Sequence, residues 1–101
     1  MTAMIALNNS HPVTMSSLEM VEYINSTRKE GEAELLHKNF CAKVPVVLGQ
    51  ETSAKFLADL PDVYGRPRKG YRFPKREACL MAMSYSYKLQ ARVYDKMTAL
   101  E

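Results

Sequence analysis

One stretch, residues 70–87 (GYRFPKREACLMAMSYSY), constrains this chain more than any other, because it has to pass from strand to helix at a single proline. Tyr71 and Phe73 alternate with Arg72, the period of two that suits a short strand with one buried face. Pro74 has no N–H to give a sheet, but its fixed φ suits the first turn of a helix, where that N–H would have no partner anyway. The pattern therefore predicts a strand through Phe73 and a helix after Pro74. Glu77 falls in the first helical turn, opposing the positive end of the helix dipole, and residues 78–83 follow as an unbroken apolar run. A helix apolar on every side has no solvent face and is expected to be central and buried. Ser84 and Ser86 offer oxygens to cap the next helix.

That last helix, about residues 86–100, carries Leu89, Val93, Met97 and Leu100 at spacings of four, four and three, an apolar stripe of helical period. Tyr87, Ala91 and Tyr94 form a second stripe, which Thr98 continues as a half-polar residue. One small domain need not cover both stripes. The plain reading is that the tyrosines lean on the core edge. The sharper one is self-association, as a dimer or tetramer, through Tyr87, Tyr94, Met97 and Leu100, since aromatics and Met are enriched at interfaces.

Toward the N-terminus, residues 4–7 and 12–15 are short apolar runs around the turn-forming Asn8-Asn9-Ser10, which reads as a β-hairpin. Ser16 and Glu19 have capping-box spacing and start a helix, with Leu18, Val21 and Ile24 inward, Met20 and Thr27 beside them, and Gly31 as its stop. A second helix is expected from about Glu32 to Ala42, closed by Val44-Pro45. Residues 44–50 then read as a short edge strand or packed connection, and residues 55–73 as a hairpin with a basic tip at residues 66–69, a wing in outline. The fold class expected is α+β: one small domain over residues 1–101, with an N-terminal hairpin, two helices, a central basic hairpin and two C-terminal helices.

The net charge is +3, yet residues 66–76 hold Arg66, Arg68, Lys69, Arg72, Lys75 and Arg76 and no acid, so the rest of the chain is net negative. Such a patch attracts phosphate or an acidic protein surface, or simply guards an exposed strand edge. Apolar residues at 47% and charged residues at 25% are those of an ordinary globular protein. Cys41 and Cys79 sit in apolar helical contexts and are expected to be buried free thiols in a reducing cytosol. No signal peptide or membrane span is read from the sequence. His37 and Cys41 have metal-ligand spacing, one helical turn apart, but a structural site needs four ligands, so no metal is expected. No phosphate-cradling glycine loop, nucleophile elbow or HExxH is present, and neither an enzyme nor a cofactor is expected.

The residues that carry a resemblance are Y-x-F-P-K-R-E at residues 71–77 and MSYSYKLQA at residues 83–91, supported by SSLEMVEYIN and LLHKNF. With these motifs the chain, from about Val13 to Glu101, resembles phage regulatory proteins of the Rha type, including short phage antirepressors. The resemblance implies a regulator acting in the cytoplasm of the bacterial host. Longer relatives carry a further C-terminal domain; the end of this chain at its last helix leads to the expectation of a stand-alone antirepressor, which grips the phage repressor, removes it from operator DNA and so promotes prophage induction. The alternative is a winged-helix-like DNA-binding regulator, with the helix near residues 32–42 in the major groove and the basic hairpin on phosphates. Glu32 and Glu34 against a single Lys38, and no arginine, make that helix a poor reader.

Overall fold

A computed structural model describes residues 13–61 and 65–101. Three strands and five helices follow in the order β1 (Thr14–Ser16), α1 (Ser17–Ser26), α2 (His37–Leu48), α3 (Gln50–Ala54), β2 (Leu57–Pro61), β3 (Pro67–Pro74), α4 (Lys75–Met83) and α5 (Tyr87–Leu100). The sheet is antiparallel in the order β1-β3-β2, so β3 is central. Its two neighbours use different halves of it. Leu57–Pro61 pairs with residues 67–71, while Thr14, Met15 and Ser16 face Pro74, Phe73 and Arg72. The first strand of the expected N-terminal hairpin lies outside the described residues; its second run contributes β1.

The local signals around β3 behave as the sequence predicts. The strand runs to Pro74, α4 begins at Lys75, and Glu77 is in its first turn. Ser16 caps α1 through a complete box: its Oγ accepts from the Glu19 N–H at 3.1 Å, and Glu19 Oε1 accepts from the Ser16 N–H at 2.9 Å. Ser86 caps α5 by accepting from the Leu89 N–H at 3.0 Å. The tip of the hairpin is displaced, since Arg68 and Lys69 are strand positions opposite Leu60 and Asp59.

Other expectations are corrected. Helix α1 ends at Ser26, five residues before Gly31, and α2 begins at His37 rather than Glu32. The cause is Asn25, whose Oδ1 accepts from the Leu35 N–H at 2.8 Å while its Nδ2 donates to the Leu35 carbonyl at 3.0 Å. These two bonds hold Leu35 against the end of α1, within the connection that precedes α2. Nor does Pro45 stop α2, which continues to Leu48 where a strand or connection was expected. Val44 is fully buried and Val47 and Leu48 pack partly on the core, a 44/47/48 spacing that only a helix brings to one side. The proline forfeits one ladder bond near the helix end, and Gly49, at φ 89°, ends the helix while donating to the Pro45 carbonyl.

The core joins Met15, Met20, Val21 and Ile24 to Phe40 and Val44, Phe73, Ala78, Met81 and Ala82, and Leu89, Val93 and Met97. Met20, rather than Leu18, is the deepest apolar residue of α1. Phe73 is its aromatic hub: Tyr71 stacks on it at 5.7 Å, and Phe40 and Phe56 meet it at 6.3 and 6.5 Å. Helix α4 is not enclosed on all sides as expected. Ala78, Met81 and Ala82 are buried, but Cys79 and Leu80 are half-buried and Met83 is exposed, because the elements packed on α4 (α5, α2, β3 and β1) leave those residues uncovered.

Replacing Ser16 by Ala removes one half of the capping box and is expected to cost about 1 kcal/mol. Thermal unfolding followed by circular dichroism should then show a Tm lower by roughly 4–8 °C; an unchanged Tm would mean the cap adds nothing to the fold.

Candidate functional site

Ser17, the first residue of α1, is completely buried. Its Oγ accepts from the Tyr71 N–H at 3.0 Å and lies 2.8 Å from His37 Nε2. Cys41 Sγ stands 3.4 Å from that same nitrogen. Since the backbone of β3 already donates to Ser17, its hydroxyl hydrogen is free to point at a neutral imidazole nitrogen. Gly70 is required by this close approach, because a Cβ there would lie 2.7 Å from both Ser17 Oγ and Leu60 Cδ1. Burial, and then the Arg68 guanidinium, hold His37 below its ordinary value; burial raises the Cys41 thiol, against the smaller pull of Ser17 and Arg68. Both cysteines are free, though half-buried rather than buried as expected. No group of three His, Cys, Asp or Glu side chains among the described residues is placed to hold a metal ion.

The six basic candidates do not form one surface. Arg66, just before β3, and Arg68 and Lys69 at its start are exposed. Arg72 lies toward its other end, with Nη1 3.5 Å from Thr14 Oγ1. Lys75 and Arg76 belong to the first turn of α4 and are neutralised locally: Lys75 Nζ meets Glu101 Oε1 at 3.1 Å and sits 4.1 Å from the Tyr94 ring centre, while Arg76 Nη1 meets the buried Glu77 at 2.6 Å. The charge of Arg68 reaches α2, lowering the His37 and Cys41 values as a lesser contribution beside burial.

The observed limits of α2 change its character. Glu32 and Glu34 lie in the preceding loop, and the helix itself (HKNFCAKVPVVL) contains no acid. Lys38, Asn39, Ala42 and Val46 are exposed along it, with Val46 at 81%. Lys43 is not available, since its Nζ donates to the Ser84 carbonyl at 3.0 Å and lies 3.6 Å from the Tyr85 ring centre, tying α2 to the α4–α5 turn. Nothing local in the sequence marks that tie.

On another side, Cys79 and Leu80 of α4 and Gln90 and Tyr94 of α5 line a groove of about 520 Å³, with Lys75 and Arg76 at its rim. The expectation of a wholly buried α4 hid this feature. Among the four expected self-association residues, Tyr87, Tyr94 and Leu100 are exposed at 79, 52 and 64%. Met97 is corrected to the core at 1% exposure, because it continues the inward stripe of Leu89 and Val93 one turn further on. No helix among the described residues is long and apolar enough to cross a membrane.

Because His37 is held below its unfolded value, its contribution to stability is complete above about pH 6.5 and is lost as the pH falls toward the folded value. Urea midpoints at pH 7.5 and 5.5 should therefore show wild type losing more stability than His37→Gln; equal losses would remove His37 as the cause. No protein-family model, curated protein or solved structure matches this chain.

Proposed function

We propose that this chain is an antirepressor of a temperate phage, acting in the bacterial cytoplasm by binding the phage repressor and releasing it from operator DNA. The reading starts from the Rha-type resemblance, whose motifs fall on the β3–α4 junction and the α4–α5 turn. The observation that supports it is the groove between α4 and α5, where Cys79 and Leu80 offer apolar surface and the cations Lys75 and Arg76 are paired with Glu101 and Glu77. Grooves of this kind take the apolar face of a partner helix. Repressors present basic surfaces to DNA, so the exposed cations of β3 are poorly suited to gripping that surface. The groove, away from those cations, suits a repressor segment outside the DNA-binding face. Release requires tighter binding to the repressor form that cannot hold DNA, and a tenfold preference needs only about 1.4 kcal/mol.

A second reading is favoured by a specific observation. Helix α2 carries no acid and exposes Lys38, Asn39 and Ala42, with Arg68 beside its N-terminal turn. A helix followed by a basic hairpin is the winged-helix arrangement, in which Asn39 suits adenine and Ala42 a thymine methyl while Arg68 and Lys69 meet phosphates. On that reading the chain binds operator DNA itself.

Fluorescence anisotropy of labelled operator DNA loaded with its repressor separates the two. A fall to the value of free DNA on adding this protein, abolished by Leu80→Arg and retained in Arg68→Glu/Lys69→Glu, is the antirepressor result. A rise that the double charge reversal abolishes, and that weakens steeply with salt, is the DNA-binding result and overturns the first reading.

A further inference from the structure

Helix α5 has a second periodic face that its own core does not use. Tyr87, Ala91, Tyr94 and Thr98 recur at intervals of four, three and four, the a/d spacing of a coiled-coil seam, and all four are exposed. Leu89, Val93 and Met97 point the other way and are buried. Lys88 and Asp95, seven residues apart and both exposed, occupy the same heptad position along one flank of that seam. Neither makes a hydrogen bond or ion pair with another described residue.

We infer that α5 pairs with α5 of a second copy of this chain in antiparallel orientation. The charges and the side-chain sizes select the same register independently. In an antiparallel pair, residues of one flank meet the same flank of the partner helix, so Lys88 faces Asp95 of the second copy and Asp95 faces its Lys88. That register places Tyr87 against Thr98 and Ala91 against Tyr94 in the seam, a large side chain opposite a smaller one in every layer. A parallel pair sets Tyr87 against Tyr87 and Ala91 against Ala91, and leaves Lys88 and Asp95 facing Met83 and Gln90 without a charge partner. The occupant is therefore another copy, and the orientation follows from a charge pattern that complements itself only when reversed.

The helix is about 21 Å long, short for an interface, so the pair belongs in the roughly micromolar range. Tyr94 belongs to both the seam and the α4–α5 groove, but Lys88 and Asp95, which carry the test, lie outside the groove and the basic strand, so the inference is tested apart from the antirepressor reading. Its failure leaves that reading standing.

Sedimentation equilibrium of the full chain at low salt, from about 1 to about 500 μM, tests it. Wild type is expected to dimerise. Lys88→Glu alone and Asp95→Lys alone each place like charges opposite one another twice, and each should weaken the dimer by on the order of tenfold. Mixed in equal amounts, these two variants are complementary at both contacts and should dimerise again at wild-type concentrations. Circular dichroism checks that both are folded; if either is not, Ala91→Glu in the seam, an exposed helical position, should abolish the dimer. A wild-type monomer at 500 μM, single variants that dimerise as wild type does, a mixture no better than its components, or an Ala91→Glu dimer overturns the inference.

Discussion

The buried hydroxyl of Ser17 is the point at which three elements of this fold are fixed to one another. It is the first residue of α1, it accepts from the backbone of β3 at Tyr71, and it lies against His37 at the start of α2. A polar atom with no access to water must have its hydrogen bonds met inside the protein, so these elements have little freedom to shift separately. Gly70 shows how close the fit is, with no room for even one more carbon between the strand, Ser17 and Leu60. In the tautomer whose Nε2 accepts from the Ser17 hydroxyl, protonating His37 turns that nitrogen into a donor and leaves the hydroxyl hydrogen without its acceptor.

Around this point the fold divides the cations between a helix turn and a strand. Cations on the first turn of α4 are returned to carboxylates, Lys75 to Glu101 and Arg76 to Glu77. Those at the start of β3 stay exposed, and Arg68 is near enough to α2 to influence its first turn. A run that looks continuous in the sequence is thus divided between a strand and a helix. The apolar residues are divided in the same way: the run after Glu77 supplies both the core, through Ala78, Met81 and Ala82, and an open groove floor, through Cys79 and Leu80.

Features set by neighbours along the chain were legible. The Ser16–Glu19 box, the strand-to-helix change at Pro74, the Ser86 cap and the Leu89–Val93–Met97 stripe each depend on residues within one or two turns. The extent of α2 was not, because it is settled by the Asn25 clamp on Leu35 at one end and by burial of Val44, Val47 and Leu48 beyond Pro45 at the other. Moving that boundary took Glu32 and Glu34 off the helix and with them the main argument against its reading DNA. Leu100 shows the same limit on a smaller scale: the stripe predicts it inward, yet the core ends at Met97 and Leu100 is left in solvent.

By itself, then, the sequence determined the α+β class, the order of β3, α4 and α5, and the presence of a basic hairpin, since caps, prolines and periodicity act over a few residues and carry their own energetics. Tertiary structure decided which cations remain available, where α2 begins and ends, and which side of α4 stays open. Those outcomes depend on side chains far apart in the chain, such as Ser17 with Tyr71, Lys43 with Ser84 and Lys75 with Glu101, whose approach is an outcome of packing rather than of spacing.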